Sequence, residues 1–375
     1  MSMNYLIRNV RLEDKENVDI LVIGSHIIDI GQKLEYSLPA MKIVDAHGAR
    51  VIAGLIDQHV HSIGGGGEDG PASRVPPIVF SDCAKAGVTT LVGTLGTDSH
   101  TRSLRDLLAM TQALDETGIN AYCLTGSYEY PSPTLTGDVA DDLLFCKPVI
   151  GCKLAISDHR CSCPTTEEII RLASKVRLGG LISHKVGELH IHVGADSRGI
   201  EQLFDIIERT ILPVTIFRPT HMGSHLEQAE RFVRKGGFVD ITAGRNAPEA
   251  IATLLSRLPP ALWPQVTVSS DSNGSLPKWN DKREIIGMDR GRMTSLLQTL
   301  SILVEEKGLP LSEVLPLFTS NVAKALHFTQ VGSVEIGKQA DLVLLDGEFQ
   351  VQSVMAKGVW LSFDSQILVK GMFED

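Results

Sequence analysis

The chain reads as an α/β protein: a (β/α)8 TIM barrel joined to a small β-sandwich domain formed by both chain termini. Three observations predict this. From Val88 onward, short β-branched runs alternate with stretches of helical period, the pattern of repeated βα units around a parallel sheet. Eight such runs fit within roughly 250 residues, the usual span of a closed barrel. Both ends of the chain lack helical period and carry short alternating strands with Gly, Asp and Lys turns.

Taken in order, the strands are expected at LIDQHVH (55–61), VTTLVGTLG (88–96), INAYCLTGS (119–127), VIGCKLAIS (149–157), LHIHVG (189–194), VTIFRPTH (214–221), VDITAG (239–244) and VTVSSDS (266–272). Helix candidates fill the gaps. TTEEIIRLASKV is opened by Thr165 or Thr166 as N-cap, and GIEQLFDIIERT sets Ile200, Leu203, Phe204 and Ile207 on one stripe. Residues 274–292 read as a long charged loop, either a lid or a solvated connection. Because the first and last elements of a barrel are neighbours, the terminal strands can meet. The expected division is residues 1–52 with 332–375 as the β domain, and 53–331 as the barrel.

Composition narrows the function. The 375 residues are 43% hydrophobic and carry a net charge of -10, which leaves no basic surplus for nucleic acid or an acidic membrane surface. A small solute is the expected partner. Six cysteines form no CxxC pair, and Cys161-Ser162-Cys163 is too tight for an ordinary disulfide framework, so reduced thiols in a cytoplasmic protein are expected. No apolar run approaches the ~20 residues needed to span a bilayer.

Catalytic groups of such a barrel sit at the C-terminal strand ends. His59 and His61 end the first, and as residues i and i+2 they point the same way. Alone, an HxH pair is ordinarily two half-buried polar residues. Lys153, however, lies inside the apolar run VIGCKLAI, where an ammonium must be neutralised, paired or modified. His192, His221 and Asp271 end the fifth, sixth and eighth strands. Six metal-competent groups at five strand ends point to a metal centre. His184, His190 and His225 are read as residues outside it.

The set of HVH after GLID, a lysine in the fourth strand, single histidines ending the fifth and sixth, and an aspartate ending the eighth resembles the amidohydrolase superfamily. DQHVHSIGGGGEDGP, GTLGTDS, LTGSYEYPS, VIGCKLAISDHR, RPTHMG and SSDSNGS are similar to the isoaspartyl dipeptidases, over nearly the whole chain. That resemblance implies a binuclear zinc metallopeptidase that cleaves the isopeptide bond of β-aspartyl dipeptides with a metal-bridging hydroxide. His59, His61 and Asp271 would hold one Zn2+, His192 and His221 the other, and Lys153, as N6-carboxylysine, would bridge them. Cobalt, manganese or iron suit the same ligands. Asp271 would be general base and acid and Tyr128 the oxyanion donor. Gly66 and Gly67 would present backbone, Glu68 would bind the substrate ammonium, Arg160 would clamp a carboxylate, and Thr97 and Ser275 would add polar contacts. Similar enzymes assemble as homo-oligomers.

One departure bears on specificity. Ser224 stands where similar isoaspartyl dipeptidases carry an arginine for a substrate carboxylate. Arg218 or Arg245 would have to compensate, or the substrate would be another small amide, cyclic amide or N-acyl amino acid.

Overall fold

The computed structural model describes residues 4–12, 15–280 and 285–374. Its N-terminal strands are β1 (Asn4–Leu12), β2 (Lys15–Ile23), β3 (His26–Gly31), β4 (Met41–Asp45) and β5 (Arg50–Ala53). The next six, β6 (Leu55–Val60), β7 (Val88–Gly93), β8 (Asn120–Gly126), β9 (Val149–Ile156), β10 (Glu188–Val193) and β11 (Phe217–Thr220), form a curled parallel sheet in sequential order. Such strands are covered on both faces, and β6, β7 and β9 are accordingly buried along their whole length. β12 (Val239–Thr242) and β13 (Val266–Ser269) form a separate parallel pair. Just past β13, Ser272 bridges Val60, and the His61 N–H donates to the Ser272 carbonyl at 2.8 Å, so the pair returns beside β6.

A helix follows each of these eight strands among the described residues: α1 (Phe80–Ala86), α2 (Leu104–Glu116), α3 (Val139–Phe145), α4 (Thr166–Ser183), α5 (Glu201–Arg209), α6 (Leu226–Arg234), α7 (Ala247–Arg257) and α8 (Ser295–Glu305). Thr165 caps α4 through a capping box with Glu168, as the TTEE start suggests. Of the α5 stripe, Leu203 and Phe204 are buried, and they join Phe232 of α6 in the main core. Burying each such side chain contributes roughly 1.5–3 kcal/mol. The sixth strand is shorter than expected: Val214–Ile216 is a 3-10 turn, and His221 lies just beyond the strand at φ 65°.

Residues 274–292 depart from the loop reading. β14 (Ser275–Trp279) and β15 (Ile285–Arg290) form an antiparallel hairpin, with 281–284 outside the described residues. Pro277 hides that strand in the sequence, since proline is unexpected in a ladder. After the short helices α9 (Leu311–Val314) and α10 (Ser320–Ala325), the chain ends in β16 (Leu342–Leu345), β17 (Val351–Ala356), β18 (Val359–Phe363) and β19 (Gln366–Ile367).

Both termini enter one nine-stranded mixed sheet, in the order β19-β18-β17-β16-β5-β1-β2-β3 with β4 on β1. The junction is β5 against β16, antiparallel, with Ala53 opposite Leu342. This sheet has its own core, including Tyr5, Ile20, Met355 and Trp360. Asp341, before β16, accepts from Asn120 Nδ2 at 2.9 Å and from the Lys357 N–H at 2.8 Å, which ties the start of β8 to the terminal sheet. Burial pushes its carboxyl up to about 6.

Candidate active site

The C-terminal ends of β6, β9, β10, β11 and β13 converge. Strand alternation puts His59 and His61 on one face, their ring centroids 5.2 Å apart. The His61 Nε2 lies 3.1 Å from Asp271 Oδ1, and the His59 Nε2 lies 3.5 Å from the same oxygen. The His221 ring is 5.1 Å from His59 and 4.4 Å from His192. One ligand atom each from His59, His221 and Asp271 lie within 4.8 Å of one another. Asp271 sits at φ 52°, just past β13, where Gly274 and Gly291 leave it room. A Cβ on Gly274 would come within 2.5 Å of Asp271 Oδ1.

Lys153 is fully buried, and its Nζ lies 3.0 Å from His59 Nε2. Burial lowers its pKa to about 7 despite nearby Asp271, so the neutral amine is accessible at neutral pH. That is the form that adds carbon dioxide. Burial also holds His59 and His221 well below the ordinary imidazole range, which keeps lone pairs available for a cation. Within the group of His59, His221 and Asp271, the buried His221 Nε2 and Asp271 Oδ1 have no hydrogen-bond partner; His61 Nδ1 is also unpartnered, but that ring turns its Nε2 toward Asp271. Buried polar atoms left unpartnered cost free energy unless a ligand takes them. The donor set therefore fits divalent cations.

Behind His59 lies a chain the sequence reading missed. The Glu188 carboxylate can only accept, so His190 Nδ1, 3.1 Å away, carries the proton. The His190 Nε2 then accepts from His59 Nδ1 at 3.1 Å, leaving the His59 Nε2 lone pair aimed at Lys153 and Asp271. Arg218 holds the far end, Nε to Glu188 Oε2 at 3.0 Å. The signal was the spacing of His190 and His192, read as one ligand and one bystander. The second imidazole orients the first strand's ligand instead.

His192 is engaged on both nitrogens: Nε2 meets Asp158 Oδ2 at 2.8 Å and Nδ1 meets the Tyr128 hydroxyl at 2.6 Å. To ligate a cation it must exchange one of them. Tyr128 is itself buried, and burial raises its phenol well above the usual range, so it remains a proton-bearing donor. Arg160 puts Nε and Nη2 on Asp158 at 2.9 and 2.8 Å, and Nη1 on Glu68 Oε1 at 2.8 Å. Asp158, within the AISDHR stretch but given no role from sequence, thus links Arg160 to His192.

Thr97, Glu68, Gly66, Tyr128, Arg160 and Ser275 line one cleft with His61, His192 and Asp271. Glu68 Oε1 accepts from Ser275 Oγ as well as from Arg160, while its buried Oε2 has no partner. Burial pushes that carboxyl up, but the Ser275 and Arg160 contacts outweigh it and hold it below the usual range. The glycine run keeps its shape for steric reasons. Gly66 has φ 76°, and a Cβ there would meet the Ser73 carbonyl at 2.5 Å. Gly67 also has positive φ, but it does not line the cleft. Buried Arg102 caps the neighbouring carbonyls of Gly65 and Val75 at 3.0 and 2.8 Å.

The residues proposed to replace the missing arginine separate clearly. Arg218 is buried against Glu188 and the Ala325 carbonyl, away from the cleft. Arg245 is exposed in the turn after β12, and Ser224 is exposed after β11.

An amidohydrolase family model matches residues 261–361, and together with a solved relative 40% identical over the whole chain it defines the class: the chain is an amidohydrolase. The β-aspartyl dipeptidase of Fervidobacterium islandicum AW-1, solved with β-Asp-Leu, is 40% identical across all of both chains, with a TM-score of 0.93. A second structure of that enzyme is 38% identical, covering 99% of this chain and 100% of its own, with a TM-score of 0.89. An allantoinase of Enterococcus faecalis (strain ATCC 700802 / V583) is 25% identical over 92% of this chain and 87% of its own. The chain belongs to the β-aspartyl dipeptidase family.

Proposed function

We propose that this enzyme hydrolyses the isopeptide bond of β-aspartyl dipeptides at a binuclear metal centre, with Zn2+ as the first candidate. The observation that carries the reading beyond family kinship is Glu68, a charged carboxylate with one buried oxygen unpartnered in the cleft beside Asp271. An α-ammonium would complete it. In this reading His59, His61 and Asp271 would hold one cation and His192 and His221 the other, with Lys153, carboxylated on its amine, as the anionic ligand that would serve both. Carbamate formation would turn a costly buried cation into a two-oxygen anionic ligand.

When bound, the cations would polarise the scissile carbonyl and bring a water's pKa toward ~7. Asp271 takes the proton of the attacking water and passes it to the leaving amine. Tyr128 turns from His192 to donate to the developing oxyanion, and Arg160 offers its guanidinium to a substrate carboxylate. Gly66, Thr97 and Ser275 supply the remaining polar contacts, while Gly67, set back from the cleft, shapes the loop that carries Glu68. Architecturally, the eight parallel strands are inferred to close as a (β/α)8 barrel over 53–331, with 1–52 and 332–375 forming the β domain as a sandwich.

The direct test compares β-Asp-Leu, α-Asp-Leu and an N-acyl amino acid as substrates of metal-loaded protein. Turnover of the β-linked peptide alone is expected. Turnover of another amide without it would keep the amidohydrolase class and discard the substrate. Ser224 favours that second reading, in which the substrate lacks one carboxylate. Losing a charged partner typically costs ~2–5 kcal/mol in a dry site, so compensation is required otherwise. Arg245→Ala should raise KM for the β-linked dipeptide, and an unchanged KM removes Arg245 as the compensating group.

A further inference from the structure

The cysteines divide by environment. Cys83, Cys123 and Cys152 are buried within the core, and burial pushes the thiols of Cys123 and Cys152 up to about 12, which leaves them inert. Cys161 and Cys163 instead lie in the loop between β9 and α4, half-buried and exposed respectively. Their Sγ atoms are 3.8 Å apart, and the Cys163 N–H donates to Cys161 Sγ at 3.4 Å. An open cavity of about 550 Å³, lined also by Asp196, Arg198 and Gln202, gives both sulfurs access to a small molecule.

The same loop is bonded into the active site from both sides. Arg160, which precedes Cys161, holds Asp158 and Glu68, and Ser162, between the thiols, accepts from the Tyr130 N–H at 2.8 Å. We propose that Cys161 and Cys163 are a redox-active dithiol, oxidised by a low-molecular-weight disulfide, and that their closure shifts Arg160 and with it substrate affinity. The Cys161 thiolate, hydrogen-bonded by the Cys163 amide, attacks one sulfur of the small disulfide and displaces a thiolate, which takes up a proton. Cys163, on losing its own proton, then attacks the Cys161 sulfur of the mixed disulfide and releases the second small thiol. The protein dithiol loses two electrons and two protons, and the small disulfide gains them as two thiols. Closure draws the sulfurs from 3.8 Å to the ~2.05 Å of a bond across a single intervening residue, and in this proposal the loop takes up the change beside Arg160.

The test uses the full metal-loaded chain in oxidised and reduced glutathione mixtures, read by native thiol titration and intact mass. Two thiols should disappear together with loss of two hydrogens and no adduct, and peptide mapping should place the bond within 161–163. Cys163→Ser should stop as a glutathione adduct on Cys161, and Cys161→Ser should not react. A pair that stays reduced across the series, or a bond mapped elsewhere, overturns the dithiol. Because this count needs no substrate, it stands apart from the proposed activity. KM for β-Asp-Leu should then rise at least ~3-fold on oxidation and return with dithiothreitol, within the 5–150-fold range of typical coupling or just below it. A disulfide that leaves KM unchanged overturns the link to Arg160.

Discussion

Two buried polar clusters share this molecule, and they are finished differently. Asp240 accepts from Gln58 Nε2, Thr220 Oγ1 and Ser269 Oγ, each at 2.6 Å, and from Thr267 Oγ1 at 3.1 Å. Its carboxylate is saturated by neutral donors, leaving only the Gln58 Oε1 beside it without a partner, and burial still raises it to about 6. The imidazole cluster is open at its centre: His61 Nδ1, His221 Nε2 and Asp271 Oδ1 lack partners, and Lys153 presses on His59. Closed networks hold a fold together, whereas one left open at specific lone pairs is built to receive something.

Substitutions can break that contrast. The largest effect is expected from Lys153→Ala, which should lower turnover by at least ~10³-fold, as loss of metal-supplied charge stabilisation does, and reduce metal content by elemental analysis. Its thermal stability without metal should be preserved or raised, because a buried amine is gone. Asp240→Ala should do the opposite, costing on the order of 3 kcal/mol in denaturant unfolding by stranding several hydroxyls, with metal stoichiometry intact in the folded fraction. His190→Ala sharpens the comparison from the open side. It should weaken metal binding about 10 to 100-fold in a chelator competition, since the His59 ring loses its orienting acceptor, while folding survives.

The smallest effect concerns a closed site at the interface. Asp341 has a folded pKa near 6, above its unfolded value. The contribution of its protonated form is present below the unfolded pKa and lost as pH rises through about 6. Between pH 4 and 7 the wild type should therefore lose on the order of 2 kcal/mol relative to Asp341→Asn, seen as converging or crossing Tm profiles.

Much of this contrast is legible in the sequence. β-branched runs mark all eight parallel strands, because strands buried on two faces need continuous apolar sequence. Ligand-type residues at their ends stand out against that background, so the cluster of His59, His61, Lys153, His221 and Asp271 could be read from spacing. Its support could not. Asp158, Glu188 and His190 are ordinary residues on a strand or loop, and their roles arise from partners 34, 30 and 131 positions away. The hairpin over 274–292 was missed because Pro277 and a dense run of charge both argue against pairing. Occupation of Arg160 by Asp158 and Glu68 was equally invisible, since an arginine's fork can turn to any acid within reach.

The pairing of β5 with β16 has a consequence for how the chain is made. Ala53 faces Leu342 across 342 − 53 = 289 residues. At roughly 5–20 residues per second, the first strands leave the ribosome about 15 to 60 seconds before their partner exists. During that interval β5 offers a bare edge, an invitation to the wrong neighbour. Completion of the terminal sheet is thus a late event, and truncation before β16 should yield a nascent protein in need of a chaperone.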